Sequence, residues 1–453
     1  MSVPNNRTEE IAARLIRLAL DAGATEAEAG AADGSEFECT VRLGELETLK
    51  EAGSSAAGVR VFRGKRSGTS STSDLSDDGL RRMVASAMAL AEVSMEDPSA
   101  GLPAPAELGC AAGDFDLYHP DIEAAPPELR IECARRAEKA ALDFDPRITN
   151  SEGGSYGSSI TTRAFANSPG FLGSYKTSSC SLSVVSVAQN GGGKLERDYW
   201  YDISRSFAKL PAPEQIGVKA AQWTLRRLGA RKVETRKAPV VLDPRVARSL
   251  AGHMFSAVTG ESVYHKSSYL AEKLGRTVAS KCVTIIDDAL MPGGFGTSPF
   301  DDEGVPSRRT TVVNEGRLET FLLNTYMARK LGMSTTGNAS RGLAGNPGTG
   351  HGNLYIQPGT RTPEELISSV KNGFYVTELI GSGVNIVNGD YSRGAAGVWI
   401  ENGRLAGAVH EVTVSGNLAE MWSMIEDVAN DLEFRGSVAA PTLLIGEMRV
   451  SGT

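Results

Sequence analysis

Apolar residues recur at helical spacing over residues 7–22, through Ile11, Leu15, Ile16 and Leu20. The pattern then changes to a period of two. The runs 36–53 and 56–74 alternate apolar and polar residues and are punctuated by glycine, which predicts strands. Helical spacing returns at 77–93, where Ser76 is placed to cap and Asp77 and Asp78 occupy the first turn. Residues 98–127 are rich in Pro, Ala and Gly and are expected to form a linker. A helix is predicted over 126–144, strands over 147–154, 159–168, 180–190 and 197–207, and a helix over 214–229. The basic stretch 230–239 marks the expected boundary between residues 1–230 and residues 231–453.

The second half opens on a short strand ending at Asp243, and Pro244 suits the first position of a helix. The run 308–324 reads as a hairpin turning at Asn314, Glu315 and Gly316. A Gly-, Asn- and Ser-rich loop is expected over 332–353. A helix follows at 362–373, then a strand at 374–380 and a Gly-rich hairpin at 389–405. A helix over 418–434 and a strand over 442–450 complete the pattern. The predicted class is α+β, with a mixed α/β first half and a strand-rich second half carrying Gly-rich hairpins. No fixed-period repeat is visible, which excludes solenoids and propellers.

The chain length of 453 residues suggests two or three domains, and 50 glycines fit a chain with many turns. The net charge is −8 and no dense basic run occurs, so direct nucleic-acid binding is disfavoured. No apolar run is long enough to cross a bilayer, and the polar start MSVPNNRTEEIAARL has no signal-peptide core. The five cysteines are scattered without CxxC spacing, which fits free thiols in a reducing cytoplasm. Cys282, with no His partner, is read as a buried thiol.

The segment AGHMFSAVTGESV, residues 251–263, poses the chemical question. A helical zinc site needs two imidazoles on one face and a carboxylate to activate water. His253 has neither; it aligns with Val246, Leu250 and Ala257, so a buried or half-buried histidine is expected. His410 and Glu411 lie in a strand pattern and face opposite ways. His119, His265 and His351 sit singly in polar segments. Gly153-Gly154-Ser155-Tyr156-Gly157 fits GxSxG, but a strand follows it where a nucleophile elbow needs a helix. Gly348-Thr349-Gly350-His351-Gly352 reads as a mobile loop, with a phosphate cradle as the alternative. Asp301, Asp302 and Glu303 read as a solvated loop, with cation binding as the alternative. In the 389–405 hairpin, Asp390, Tyr391 and Arg393 are candidates for pocket or interface contacts, because a guanidinium forks onto a carboxylate; a capped turn is the structural alternative.

Several long stretches resemble the TldD/PmbA family and come closer to its PmbA (TldE) branch: residues 58–76, 265–285, 297–332, 374–403 and 415–436. The resemblance implies a cytoplasmic metallopeptidase system acting on peptides and unfolded polypeptides, also named as a modulator of DNA gyrase. In that system the TldD-type subunit carries HExxxH and a late cysteine as metal ligands. Here Gly252, His253 and Ala257 fall at the motif's places, and residues 435–453 contain no cysteine. The resemblance therefore implies no catalytic, metal or cofactor-binding residue on this chain, with zinc on a TldD-type partner. It also implies heterodimer formation with that partner, a homodimer when the chain is alone, and no membrane association. Two alternatives remain. One is an active metallopeptidase with atypical ligands drawn from His253, Glu261, His265 and the acids near 301. The other is a binding protein that modulates DNA gyrase.

Overall fold

The computed structural model describes residues 6–453, Gly192 excepted. The first half contains α1 (Arg7–Asp21), β1 (Glu26–Arg42), β2 (Glu45–Arg63), β3 (Arg66–Thr72), α2 (Asp77–Val93), α3 (Asp121–Ala124) and α4 (Pro127–Phe144). It continues through β4 (Ile148–Asn167), β5 (Leu172–Gln189), β6 (Leu195–Ser204) and α5 (Pro213–Leu225). Ser76 caps α2 by accepting the Gly79 amide, as its position predicts. The strands pair antiparallel in the order β3-β2-β1-β4-β5-β6. The expected strands 147–154 and 159–168 are one 20-residue strand, β4. Register shifts near Ser151 and Gly153 bulge it without ending it. The GxSxG match lies inside this strand and forms no elbow.

Alternation along the long strands gives the sheet two different faces. On one face, Ala27, Ala29 and Ala31 pack under α1 and α2, while Phe37, Cys39, Tyr156 and Leu182 pack under α4 and α5. The other face carries hydroxyls, with Thr40 paired to Ser155 at 2.9 Å and Ser159 to Ser179 at 3.1 Å. Its far end meets the second half. There Leu343 lies so close to Gly58 that a Cβ on that glycine would sit 1.8 Å from the Leu343 carbonyl oxygen.

The second half contains β7 (Arg236–Leu242), α6 (Pro244–Val258), α7 (Gly260–Tyr264), β8 (Ile285–Asp288), β9 (Arg309–Asn314), β10 (Arg317–Leu318), α8 (Thr325–Leu331), β11 (Ala339–Ser340), β12 (Gly348–Thr349) and β13 (Asn353–Ile356). It ends with α9 (Pro363–Ser369), β14 (Asn372–Ile380), β15 (Asp390–Glu401), β16 (Arg404–Asn417), α10 (Leu418–Ser423), β17 (Ile425–Val428), β18 (Val438–Ala439) and β19 (Leu443–Ser451). One sheet has the order β16-β15-β14-β7-β19-β17, and β16 also pairs with β19, which curls it into a barrel-like form. A second sheet has the order β10-β9-β8-β13-β18. Glu315 and Gly316 take the positive φ values that the tight β9–β10 turn requires. The main core gathers Val246, Leu250, Met254 and Ala257 of α6 with the barrel strands. Helices and mixed sheets together make an α+β protein, and among the described residues no helix is long and apolar enough to cross a membrane.

Four expectations are corrected. The helix expected over 418–434 stops at Ser423, because Ile425–Val428 pair with β19 as β17. Cross-strand hydrogen bonds and burial of Ile425 and Val428 override the helical periodicity. Cys282 is exposed, since its turn hands the buried position to Val283. The glycine-rich stretch around 348–352 is anchored: β12 pairs with β11, and the Gly352 amide donates to Asp287 at 2.7 Å. The acids at 301–303 are no solvated loop. Asp301 is 7% and Glu303 1% exposed, and Asp301 accepts the backbone amides of Glu303, Val305 and Ala339. Those bonds tie the loop down and leave Asp301 dry.

Candidate functional site

Helix α6 begins at a strong cap. Asp243 accepts the Arg245 amide at 3.0 Å and the Tyr375 hydroxyl at 2.6 Å, and Pro244 follows at the first helical position. This fixes the helix against the barrel and directs its apolar stripe inward. His253 leaves that stripe half-buried, with its ring edge-on to Tyr391 at a centroid distance of 6.2 Å. Tyr391 and Arg393 are two residues apart on β15, so their side chains share a face. Arg393 Nη2 donates to the Leu379 carbonyl at 3.4 Å, and its charge lies beside the Tyr391 phenol.

Electrostatics distinguish the three groups. Burial first, and Arg393 second, hold the His253 imidazole below its ordinary value, so it is a neutral ring at pH 7. Burial pushes the Tyr391 phenol up to about 12, which keeps it protonated. Among the described residues His253 Nε2 and Arg393 Nε have no hydrogen-bond partner. The cluster therefore offers a cation with an unused donor beside a neutral imidazole, and such a pair suits a carboxylate. Asp390 does not join it. That residue is exposed at the strand edge, where it accepts Asn388 Nδ2 at 2.7 Å while its own amide donates to Asn388 Oδ1.

The pH dependence of stability follows from His253. Its folded pKa lies below the unfolded 6.5, so the unfolded chain binds the proton first as pH falls. Stability is full above about pH 6.5 and is lost below it. His253→Gln is expected to flatten this acid-side loss, read as urea midpoints between about pH 7 and 5. Parallel curves for both proteins would refute the assignment.

The residues at the HExxxH places do not fit a metal. Gly252 has no side chain, and a Cβ there would meet nothing within 4 Å. His253 turns to Tyr391, and Ala257 is fully buried in the core. His265 sits against Tyr264, far in role from Asp301 with its backbone donors. Among the described residues no group of three or more His, Cys, Asp and Glu side chains is placed to hold a metal ion.

A second polar site lies on the other side of α6; the sequence singled out His351, Asp301 and Asp302 of its lining in two separate loops, and the fold brings them together. Phe255 meets His351 edge-on at 4.7 Å. Beside His351 is a cavity of about 200 Å³ between the long sheet and the β8–β13 pair, lined by Arg163, Tyr175, Asp287, Asn338 and Asp302 among others. Asp287 is 2% exposed, and burial raises its pKa. An aspartate following Ile285 and Ile286 in a short strand was the available signal, since a carboxylate inside an apolar strand needs built partners.

Comparison with known proteins places this architecture. Residues 27–91 match PmbA/TldA metallopeptidase domain 1, residues 120–228 the central domain and residues 235–452 the C-terminal domain. The chain is 39% identical to "Metalloprotease PmbA" of Escherichia coli O157:H7 over 95% of this chain and 94% of the relative. It is 37% identical to "Metalloprotease PmbA homolog" of Haemophilus influenzae over 96% of this chain and 94% of the relative. A crystal structure from Bacteroides thetaiotaomicron, described as a modulator of DNA gyrase, superposes with a TM-score of 0.91 at 28% identity, covering 98% of this chain and 99% of that one. TldE from Thermococcus kodakarensis shares the fold, with a TM-score of 0.89 at 22% identity over 98% of this chain and 100% of that chain. The chain belongs to the PmbA/TldD metallopeptidase family, in its PmbA branch.

Proposed function

We propose that this chain is the non-catalytic, PmbA/TldE-type subunit of a cytoplasmic metallopeptidase system. It pairs with a TldD-type subunit that carries the zinc, and the pair cleaves flexible peptides and unfolded polypeptides. The observation that carries this reading is the state of α6. The helix keeps its cap and its seat in the barrel core, yet the HExxxH places hold Gly252, His253 and Ala257. The Arg393–Tyr391–His253 cluster then serves recognition, receiving a carboxylate of the substrate or of the partner subunit. The chain forms a homodimer when made alone.

Elemental mass spectrometry of the purified chain, with a peptidase assay on an unfolded polypeptide, tests the proposal. The expected result is far less than one zinc per chain and no cleavage alone, with cleavage on adding a TldD-type subunit. Stoichiometric zinc with cleavage by the chain alone would establish the active metallopeptidase instead. Arg393→Ala is expected to weaken pairing or substrate binding without changing metal content.

A further inference from the structure

We propose that the cavity between the long first-half sheet and the β8–β13 pair binds a carboxylate carried by a peptide. The inference rests on the reading of this chain as a peptide-handling subunit, and it deepens that reading by naming a recognition site apart from the Arg393 cluster. The volume of about 200 Å³ is many times the ~10–15 Å³ one water needs, so the space admits the end of a chain or an acidic side chain. Arg308 and Ser340 line it and are exposed, which gives the cavity an open rim.

Uncompensated positive charge selects an anion. Arg205 lies behind the cavity wall, its guanidinium 5.0 Å from the ring centroid of Phe295, a lining residue. It is 9% exposed, and it donates to the Ser178 carbonyl at 3.2 Å and to the Gly294 carbonyl at 2.9 Å. No carboxylate of the described residues pairs with it, and burial holds its pKa below the ordinary value. A buried cation normally carries a counter-charge, and an anion in the adjoining cavity supplies one at short range.

The lining adds to this field. Arg163 and Arg308 share it with Asp287, Asp301 and Asp302. Burial first and Glu303 second push Asp301 up to about 8, and burial raises Asp287, so both are weaker anions than their formal charge. Asp302 is paired with Arg163 at 3.4 Å. Arg308 is left over: among the described residues its side chain has no ion pair and no hydrogen bond.

Donors converge on the space. The Arg308 guanidinium lies across Gly337, where a Cβ would sit 3.4 Å from its Nε and 3.7 Å from its Nη2. Gly337 lines the cavity, so the guanidinium fork stands at its mouth. The Ser298 and Ser307 hydroxyls also line it, 3.3 Å apart. One donates to the other, whose own proton is then uncommitted among the described residues. Tyr175 adds an O–H that burial keeps protonated. A planar fork with hydroxyls beside it matches the two oxygens of a carboxylate. Asp302 opposes a second negative charge, which favours a carboxylate over a phosphate dianion.

Calorimetry with N-acetyl-triglycine, its C-terminal amide, the amide of N-acetyl-Gly-Glu-Gly and inorganic phosphate tests the idea, with hydrogen exchange locating the site. The free acid is expected to bind at least about tenfold more tightly than its amide and to protect backbone amides within 296–308 or 337–352. Recovery of binding by the glutamate peptide would assign the site to any carboxylate; continued weakness would assign it to the chain terminus. Arg308→Gln, at an exposed position, is expected to abolish the preference. Equal affinity for acid and amide, no binding by either, a preference that survives Arg308→Gln, protection only outside these segments, or tighter binding of phosphate than of the acid would overturn the proposal. The comparison of acid with amide uses the unmodified protein, so it stands even if the variant fails to fold. None of these readouts depends on metal content or cleavage, so this inference and the subunit assignment can fail separately.

Discussion

Glu28→Ala is expected to destabilise the protein by about 3–5 kcal/mol, the cost of removing one partner from a buried ion pair. Glu28 lies on β1 and is fully buried. Its Oε1 is 2.7 Å from Arg60 Nε and 2.8 Å from Arg341 Nη1, and those side chains are 7% and 4% exposed. Arg60 belongs to the long sheet and Arg341 to the second half, so one carboxylate neutralises a cation from each side of the junction. Alanine would leave two guanidiniums in a dry site. Asp302 and Glu303 stand on the same side of the junction, and Glu303 is held protonated-leaning by burial first and by Glu28 second, so it is a poor substitute. Urea denaturation should show the loss as a lowered midpoint with an unchanged slope if both halves still unfold together. A split into two transitions would show that this pair couples them. A loss below about 1 kcal/mol would mean that the guanidiniums reach water without Glu28, as exposed pairs do.

Gly58→Val is expected to cost about 3 kcal/mol or more, because the junction has no room there. The new Cβ would lie 1.8 Å from the Leu343 carbonyl oxygen and 2.4 Å from its carbonyl carbon. These are backbone atoms, so relief requires the 341–346 segment to lift from the sheet. Lifting it pulls Arg341 from Glu28 and Asn346 from Arg60. The melting temperature should fall, and limited proteolysis should nick the chain within 341–346 before it cuts elsewhere. Unchanged melting with an intact segment would refute this account of the junction. The two substitutions share Arg341, so their effects should combine less than additively.

The elements were largely legible where a local rule and the tertiary environment agree. The Ser76 cap of α2, the Asp243-Pro244 start of α6 and the Glu315-Gly316 turn each depend on a few neighbouring residues, and each formed as expected. The failure at 418–434 has the opposite cause. Met421, Trp422, Ile425 and Val428 carry an apolar pattern that a helix could bury, but pairing with β19 buries Ile425 and Val428 as a strand. That competitor is contributed from residues 443–445, outside any local window.

The sites divide in the same way. Tyr391 and Arg393 share a face because strand geometry puts residues two apart together, and that much can be read from the sequence. That His253 completes their cluster depends on how α6 crosses β15, which only the barrel decides. The absence of a helical zinc motif at Gly252, His253 and Ala257 is a property of the residue types themselves and needs no coordinates. The cavity with Asn338, His351 and Asp287 was legible only in pieces, as an aspartate after two isoleucines and a glycine-rich loop with one histidine, because their meeting depends on strands far apart in the chain. Glu28 and Arg341 are 313 positions apart, and Gly58 and Leu343 are 285 apart, by subtraction of their sequence numbers. Sequence alone therefore determined which segments alternate, which coil and which lack metal ligands, because periodicity and side-chain chemistry act within a few residues. Only the tertiary structure decided which charges are buried and which acceptors lack donors, because burial is set by whatever distant segment covers a residue.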